Sequence, residues 1–178
     1  WIERNRHHAR LTRSNFMRCI LYPLLAIALL ATSTSFAEVV RGAPDFIWLK
    51  SGNNRANLRS LRGQPVVLVV ATSPRLRKFR AQVGQLQKVF QLLGNDKAVA
   101  VAAFTEEPGL IRSNIPFVLA ANPAALASTY DVQGDFAVFV IGKDGNLDEI
   151  SDRVLPGQRI LDIINNSYVV QRDNRRAE

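Results

Sequence analysis

The stretch VVLVVATSPRLRKF, residues 66–79, places an apolar run directly before an amphipathic segment. Its first five residues are apolar without alternation, which is typical of a central strand buried on both faces. Ser73 and Pro74 then predict the start of a helix, with Ser73 as the N-cap and Pro74 in the first helical position. Many α/β proteins keep their chemistry at such a strand-to-helix turn. This turn contains neither cysteine nor histidine.

The segment after this turn has the spacing of a single long helix. Apolar residues recur at steps of three and four, which predicts one buried face over about five turns. They are Leu76, Phe79, Val83, Leu86, Phe90 and Leu93. Gly94 and Asn95 are predicted to end the helix, with Gly94 just past its last residue.

The rest of the chain predicts further strands and helices around this unit. Apolar runs predict strands at residues 46–49, 98–104, 115–119, 136–141 and 147–150. Cap and proline signals predict a helix from Asn122 to Tyr130 and another after Pro156, and residues 110–113 form a candidate helical turn. Parallel strands joined by helices come first, and a hairpin with a terminal helix comes last. This order predicts an α/β sandwich with one mixed sheet.

The positive charge of the chain is concentrated in its first part. The 178 residues carry a formal net charge of +8. Five arginines and one glutamate precede residue 38, so the rest has 18 Lys/Arg against 14 Asp/Glu, a net charge of 18 − 14 = +4. A modest excess of this kind does not indicate a nucleic-acid surface, and we predict no nucleic-acid partner.

A secretory signal peptide is predicted over residues 17–37. Met17 and Arg18 open it, an apolar run follows at residues 19–31, and small residues occupy positions 35 and 37. We predict cleavage after Ala37 and export to the periplasm. The alternative is an uncleaved membrane anchor, but the apolar run is shorter than the roughly 20 residues that a spanning helix needs.

These signals divide the chain into four predicted parts. Residues 1–16 are predicted to be an over-extended start, and the signal peptide follows them. One domain is predicted at residues 38–168, and a charged tail at residues 169–178. The single cysteine, Cys19, lies in the predicted signal peptide, so residues 38–178 contain neither cysteine nor histidine.

Three phrases resemble the thioredoxin-like superfamily. APDFIWLKSGNNRANLRSLRGQPVVLVVAT (43–72), NIPFVLAANPAALASTYDVQG (114–134) and FAVFVIGKDGNLDEI (136–150) are similar in order and spacing to its redoxin branch. That branch includes the thiol-specific antioxidant (peroxiredoxin) group and secreted thiol-disulfide oxidoreductases. The resemblance implies a thioredoxin-like three-layer α/β/α sandwich with one central mixed sheet.

The chain departs from redoxins where they carry their chemistry. The family has a Cys-x-x-Cys pair or a peroxidatic cysteine at the helix start, where the helix dipole lowers the thiol pKa. Here residues 73–76 read Ser-Pro-Arg-Leu. The family's cis-proline is expected just after Gly134, and Phe136 stands at the aligned position. Because of these departures, we predict no catalytic residue, no cofactor and no thiol redox chemistry, unless another protein supplies a cysteine.

Ser73 could be a nucleophile or a structural cap. A serine hydroxyl needs an activating base, and residues 38–178 contain no histidine to serve as one. We therefore predict that Ser73 is the helix N-cap, which stabilises a helix by about 1 kcal/mol. The acidic residues near the 143–146 turn do not have the spacing of a calcium loop, and no metal site is predicted.

Four cations surround the predicted helix start, namely Arg75, Arg77, Lys78 and Arg80. Cations at a helix N-terminus oppose the helix dipole, which is tolerated where an anion binds. The alternative is a solvated basic face compensated by acidic residues at positions 106 and 107.

We predict a secreted binding or structural module that works through its former active-site edge, defined as residues 73–80 and 134–136. The candidate binding residues are Ser73, Arg75, Arg77, Lys78, Arg80, Gly134 and Phe136. A periplasmic protein or a small anion is the predicted partner. The alternatives are a redox family member by descent, a cysteine-free enzyme with a pocket and a carboxylate at this edge, and a redox partner that borrows a thiol.

Overall fold

The computed structural model of the chain describes residues 41–49 and 55–166, which belong to one compact unit. The predicted over-extended start, signal peptide and charged tail lie outside the described residues. Within the described part of the chain, no helix is long and apolar enough to cross a membrane.

A five-stranded mixed sheet forms the centre of the domain, in the order β5-β4-β3-β6-β7. Strand β3 is parallel to β4 and antiparallel to β6, and β1 and β2 form a separate antiparallel pair. The strands are β1 Ile47–Leu49, β2 Arg55–Asn57, β3 Val66–Ala71, β4 Val99–Phe104, β5 Phe117–Leu119, β6 Phe136–Ile141 and β7 Leu147–Ser151. The helices are a 3₁₀ turn at Leu58–Leu61, α1 Arg77–Lys88, α2 Phe90–Asn95, α3 Pro123–Thr129 and α4 Gly157–Asn165.

Both faces of the central sheet are covered, which explains the unbroken apolar run of β3. Val67 and Val69 pack with α1, α2 and α4 on one face. Val66 and Leu68 pack on the other face with α3 and the segment that contains β1. All six residues of β3 are therefore buried. This arrangement confirms the predicted three-layer α/β/α sandwich with a central mixed sheet.

The predicted start of the long helix is wrong. Helix α1 begins at Arg77, and its N-cap is Leu76, without a side-chain capping bond. Before it, the Leu76 amide donates to the Ser73 carbonyl oxygen at 3.2 Å, so residues 73–76 form a turn. Leu76 has an extended backbone while its side chain packs against the core, which delays the helix. The predicted single helix is also divided at Val89, where the backbone leaves the helical region (φ −116°, ψ 13°).

The end of α2 also differs from the prediction. Gly94 lies inside α2, and the left-handed position past its end is Lys97 (φ 56°). The Ala98 amide donates to the Leu93 carbonyl oxygen at 2.9 Å, and the Lys97 amide donates to the Gly94 carbonyl oxygen at 3.0 Å. These two bonds form the Schellman motif, which here uses a lysine in place of the expected glycine.

Candidate functional site

Three segments meet at one edge of the central sheet. The parallel strands β3 and β4 end there, and the antiparallel strand β6 begins there. Thr72 joins the segments, because its amide donates to the Asp135 carbonyl oxygen at 3.1 Å. Its carbonyl oxygen accepts the amides of Glu106 and Glu107 at 3.1 and 3.0 Å. The turn after β3, the loop after β4 and the loop before β6 therefore form a connected surface.

The four cations predicted at the helix start separate into three positions. Lys78 Nζ lies 2.9 Å from Asp135 Oδ1, and both side chains are about half exposed. Arg75 and Arg80 are exposed and line a groove beside α1. Arg77 is exposed and does not line that groove. The prediction treated these cations as one basic face, whereas the structure pairs one of them and directs two into a concave surface.

The groove lies between α1 and the loop at residues 105–113, and its volume is about 820 Å³. The loop has no helical turn at residues 110–113, in contrast to the prediction. We call this feature the arginine groove. It is lined by Pro74, Arg75, Phe79, Arg80, Val83, Gln87, Glu107, Pro108, Gly109, Leu110, Ile111 and Arg112. Three positive side chains and one carboxylate therefore surround a single groove.

The floor of the arginine groove is part of the hydrophobic core. Phe79 and Val83 are buried, with 1% and 6% of their surface exposed. The Phe79 ring contacts Phe104 edge-on at a centroid distance of 5.0 Å, and it lies 6.0 Å from the Phe117 ring. Because these rings are held by close packing, the floor has a fixed shape.

The loop that forms the opposite wall is held at both ends. Gly109 packs directly against Pro74, since a Cβ atom added at Gly109 would lie 2.8 Å from Pro74 Cγ. At the far end, Gln87 Nε2 donates to Asn114 Oδ1 at 3.0 Å. These contacts, and the hydrogen bonds that the Glu106 and Glu107 amides donate to Thr72, hold the loop against α1. The groove is therefore a fixed part of the fold.

The alternative of a basic face compensated by residues 106 and 107 is not observed among the described ion pairs. Neither Glu106 nor Glu107 forms an ion pair with a described cation, although Glu107 lines the groove. The compensating carboxylate is that of Asp135, which comes from the loop before β6.

The remaining candidate binding residues have different environments. Ser73 is half-buried in the turn, and Gly134 is exposed with a φ of +92°, a conformation that glycine adopts readily. Phe136 is 1% exposed and belongs to the core, so its side chain is unavailable for binding, a correction to its prediction as a binding residue. It stands opposite Ala71 of β3 in the sheet register and is covered by the helices on that face.

The carboxyl group of Asp135 has a pKa below its ordinary value. The main cause is the hydrogen bond that Lys78 Nζ donates to it, and the positive charge of Lys78 acts in the same direction. Since the folded pKa is depressed, the stabilisation from this pair is present above the unfolded pKa of about 3.9 and is lost as the pH falls through the folded value.

We expect the Lys78→Ala substitution to raise the pKa of the Asp135 carboxyl toward its ordinary value of about 3.9, because the donated hydrogen bond is lost. The carboxyl carbon shift of Asp135, followed by NMR across an acid titration, measures this pKa. Arg77→Ala is the matched control and should leave the titration unchanged. An equal pKa in the native protein and in Lys78→Ala would contradict the assigned cause.

Several solved structures with a similar arrangement have the names of thiol-disulfide interchange proteins, peroxidoxins or thioredoxin peroxidases. A thiol:disulfide interchange protein from Bacteroides sp. is 13% identical, with a TM-score of 0.57 over 72% of this chain and 91% of its own. The peroxidoxin BcpB of Mycobacterium tuberculosis is 15% identical, with a TM-score of 0.56 over 71% and 95%. Thioredoxin peroxidase I of Plasmodium yoelii is 15% identical, with a TM-score of 0.58 over 78% and 94%. The fold is thioredoxin-like. No family model matches the chain, and no curated protein matches it.

In this thioredoxin-like domain, the turn after β3 lacks the cysteine that the resemblance to redoxins implies there. Residues 73–76 contain no cysteine, and none occurs anywhere in residues 38–178. Among the described residues, no group of three or more His, Cys, Asp or Glu side chains could hold a metal ion.

The arrangement is suited to binding an anion. Besides Glu107, the groove lining contains no group able to act as a general base, and it contains no serine, threonine, cysteine, lysine or tyrosine nucleophile. Arg112 and Leu110 carry no local signal of a binding site, because both lie in the loop after β4. The parallel pairing of β3 and β4 is the signal that could have found them, since it brings that loop beside the turn after β3.

Proposed function

We propose that this thioredoxin-like domain is a binding module that recognises a negatively charged ligand in the arginine groove. In this proposal the former active-site edge binds a ligand and performs no thiol chemistry. The single observation that supports it is that Arg75, Arg80 and Arg112 line one groove while none forms an ion pair with a described carboxylate.

The chemistry of arginine supports an anionic ligand. Each guanidinium presents several donors in a planar fork that matches a carboxylate or a phosphate. A concave surface with an excess of one sign of charge concentrates the electrostatic field and raises the local concentration of counter-ions. A ligand with negative charge would offset the excess of three arginines over one carboxylate in this lining.

Binding is better supported than catalysis. A cysteine-free enzyme would require a pocket with a carboxylate at this edge, and Glu107 at the arginine groove meets that condition. Glu107 is the single acid–base or nucleophilic side chain of the lining, so a reaction there would have no second group of this kind to assist it. We also propose that binding takes place in the periplasm, on the basis of the signal peptide predicted at residues 17–37.

The proposal is tested by photocross-linking in cells, with the full chain carrying a photoreactive amino acid in place of Leu110. Leu110 is 93% exposed and lies at the groove, so the probe reaches a bound partner without disturbing the core. We expect a discrete cross-linked species that disappears in the Arg75→Glu/Arg80→Glu variant, because reversed charges repel the ligand.

The matched control is Lys88→Glu/Arg153→Glu, which changes the net charge equally at exposed positions that do not line the groove. The cross-linked species should persist in this control. If it persists in the groove variant as well, or if no species forms although all variants are folded, the arginine groove is not the binding site.

A further inference from the structure

The arginine groove is an elongated trough. Phe79, Val83 and Gln87 line it at successive steps of four residues along α1. Eight residues of helix rise by about 12 Å, which is the minimum length of the groove along this wall. An extended chain advances by about 3.3 Å per residue, so roughly four residues of a bound peptide would lie along it.

Positive side chains line both walls of the arginine groove. Arg75 and Arg80 come from the turn and first part of α1, whereas Arg112 comes from the opposing loop. A volume of about 820 Å³ is within the range of pockets that enclose drug-sized ligands. A single small oxyanion would fill only a small part of this space. A ligand with several separated negative groups could contact both walls.

Apolar surface is interleaved with these charges. Leu110, Ile111 and Pro108 belong to the lining, together with Pro74 from the turn. Leu110 is 93% exposed, whereas the other exposed large hydrophobic side chains among the described residues are 45–51% exposed. One exposed leucine needs no explanation. Its position at the groove, among three arginines, does favour a ligand that has an apolar side chain beside its negative charges.

We propose that the arginine groove binds an acidic peptide segment in an extended conformation. Its carboxylates pair with Arg75 and Arg80 on one wall and with Arg112 on the other, and an apolar side chain packs against Leu110. This inference rests on the proposed function, because it specifies the ligand of the same groove. Peptide carboxylates supply the forked partner of a guanidinium, and the apolar contact explains the hydrophobic part of the lining.

The test presents the full chain to an array of acetylated pentapeptides that contain three or four glutamates or aspartates and one leucine, valine or phenylalanine. Matched peptides carry glutamine in place of the acids, or serine in place of the apolar residue. We expect retention of acidic–apolar peptides above both matched sets. Raising the salt from 0.1 to 1 M should weaken it, because the Debye length falls from about 10 Å to about 3 Å.

Groove variants then locate the bound peptide, with affinities measured by fluorescence anisotropy on the best-retained sequence. Arg75→Glu/Arg80→Glu should weaken binding by about tenfold or more, since two charge-assisted contacts are reversed. Arg112→Glu should weaken it as well, which shows that both walls are used. Leu110→Ser should weaken it by about threefold or more through the lost apolar contact. Lys88→Glu/Arg153→Glu should change it by less than about twofold.

Three results would overturn the peptide assignment. The first is equal retention of the glutamine peptides, or no retention at all. The second is binding of pyrophosphate or of a single-stranded oligonucleotide in preference to any acidic peptide. The third is self-association of the chain that disappears in Arg75→Glu/Arg80→Glu, which would identify a second copy as the occupant. If the cross-link at position 110 still depends on the arginines, the binding function survives any of these results; if it does not, the function itself fails.

Discussion

The Phe79→Ala substitution is expected to lower the free energy of unfolding by about 3–5 kcal/mol. The Phe79 side chain is 1% exposed and packs edge-on against Phe104 at a centroid distance of 5.0 Å. Truncation removes buried apolar surface and leaves a cavity between α1 and the sheet. The same side chain forms the floor of the arginine groove, so peptide binding should weaken together with stability.

Urea unfolding followed by circular dichroism measures this loss, and Leu110→Ala is its matched control. Leu110 lines the same groove but is 93% exposed, so its truncation should change the free energy of unfolding by less than about 0.5 kcal/mol. It should still weaken peptide binding. The two variants thus separate the floor, which stabilises the fold, from the rim, which contacts ligand. A Phe79→Ala loss under about 1 kcal/mol would mean that the ring is not held in the core as described.

The Gln82→Glu substitution is expected to destabilise the domain by about 3 kcal/mol at pH 7. Gln82 is completely buried in α1, and its side chain makes two hydrogen bonds with the backbone of Leu155. Nε2 donates to the Leu155 carbonyl oxygen at 3.1 Å, and Oε1 accepts the Leu155 amide at 2.8 Å. These bonds join α1 to the segment that leads into α4. A carboxylate keeps the acceptor, loses the donor and places a buried negative charge against a carbonyl oxygen.

The effect of Gln82→Glu should depend on pH in a defined direction. Burial raises the folded pKa of the introduced carboxyl above its unfolded value of about 4.3. The penalty is therefore smallest below about pH 4.3, where the protonated group can donate to the Leu155 carbonyl oxygen. It grows as the pH rises toward the folded pKa. The stability difference from the native protein should be larger at pH 7 than at pH 4.

Urea denaturation of both proteins at these two pH values measures the difference. Gln91→Glu adds the same charge at an exposed position of α2, and it should change stability by less than about 0.5 kcal/mol at either pH. A constant difference between native and Gln82→Glu proteins at pH 4 and pH 7 would show that the introduced group titrates in the same way in the folded and unfolded states. The described burial of this position would then be incorrect.

The proposed binding site does not coincide with the turn that corresponds to the redoxin cysteines. The turn at residues 73–76 contributes Pro74 and Arg75 to one end of the arginine groove, and the rest of the groove comes from α1 and the loop after β4. The Lys78–Asp135 pair does not line the groove, and it links α1 to the loop before β6. The proposed site therefore overlaps this turn only at Pro74 and Arg75 and needs no thiol there.

The sequence alone determined the elements whose signals are local. The unbroken apolar run of β3 predicts a strand covered on both faces, and the structure buries all six of its residues. Asn122 and Pro123 correctly predict the start of α3, where Asn122 Oδ1 accepts the Ala125 amide at 3.2 Å. Ser73 and Pro74 carry the same signal, but they occupy a turn that leads to a later helix start. A cap signal acts over a few residues, and packing of the following segment can override it.

Only the tertiary structure decided where the charges meet. Lys78 and Asp135 are 57 residues apart in the chain and form an ion pair because β6 returns beside β3. Arg112 reaches the groove with Arg75 because β3 and β4 are parallel and end at the same edge. No local pattern contains either pairing, since each depends on the order of strands in the sheet. The sequence determined the layers of this domain, and the strand order determined its candidate site.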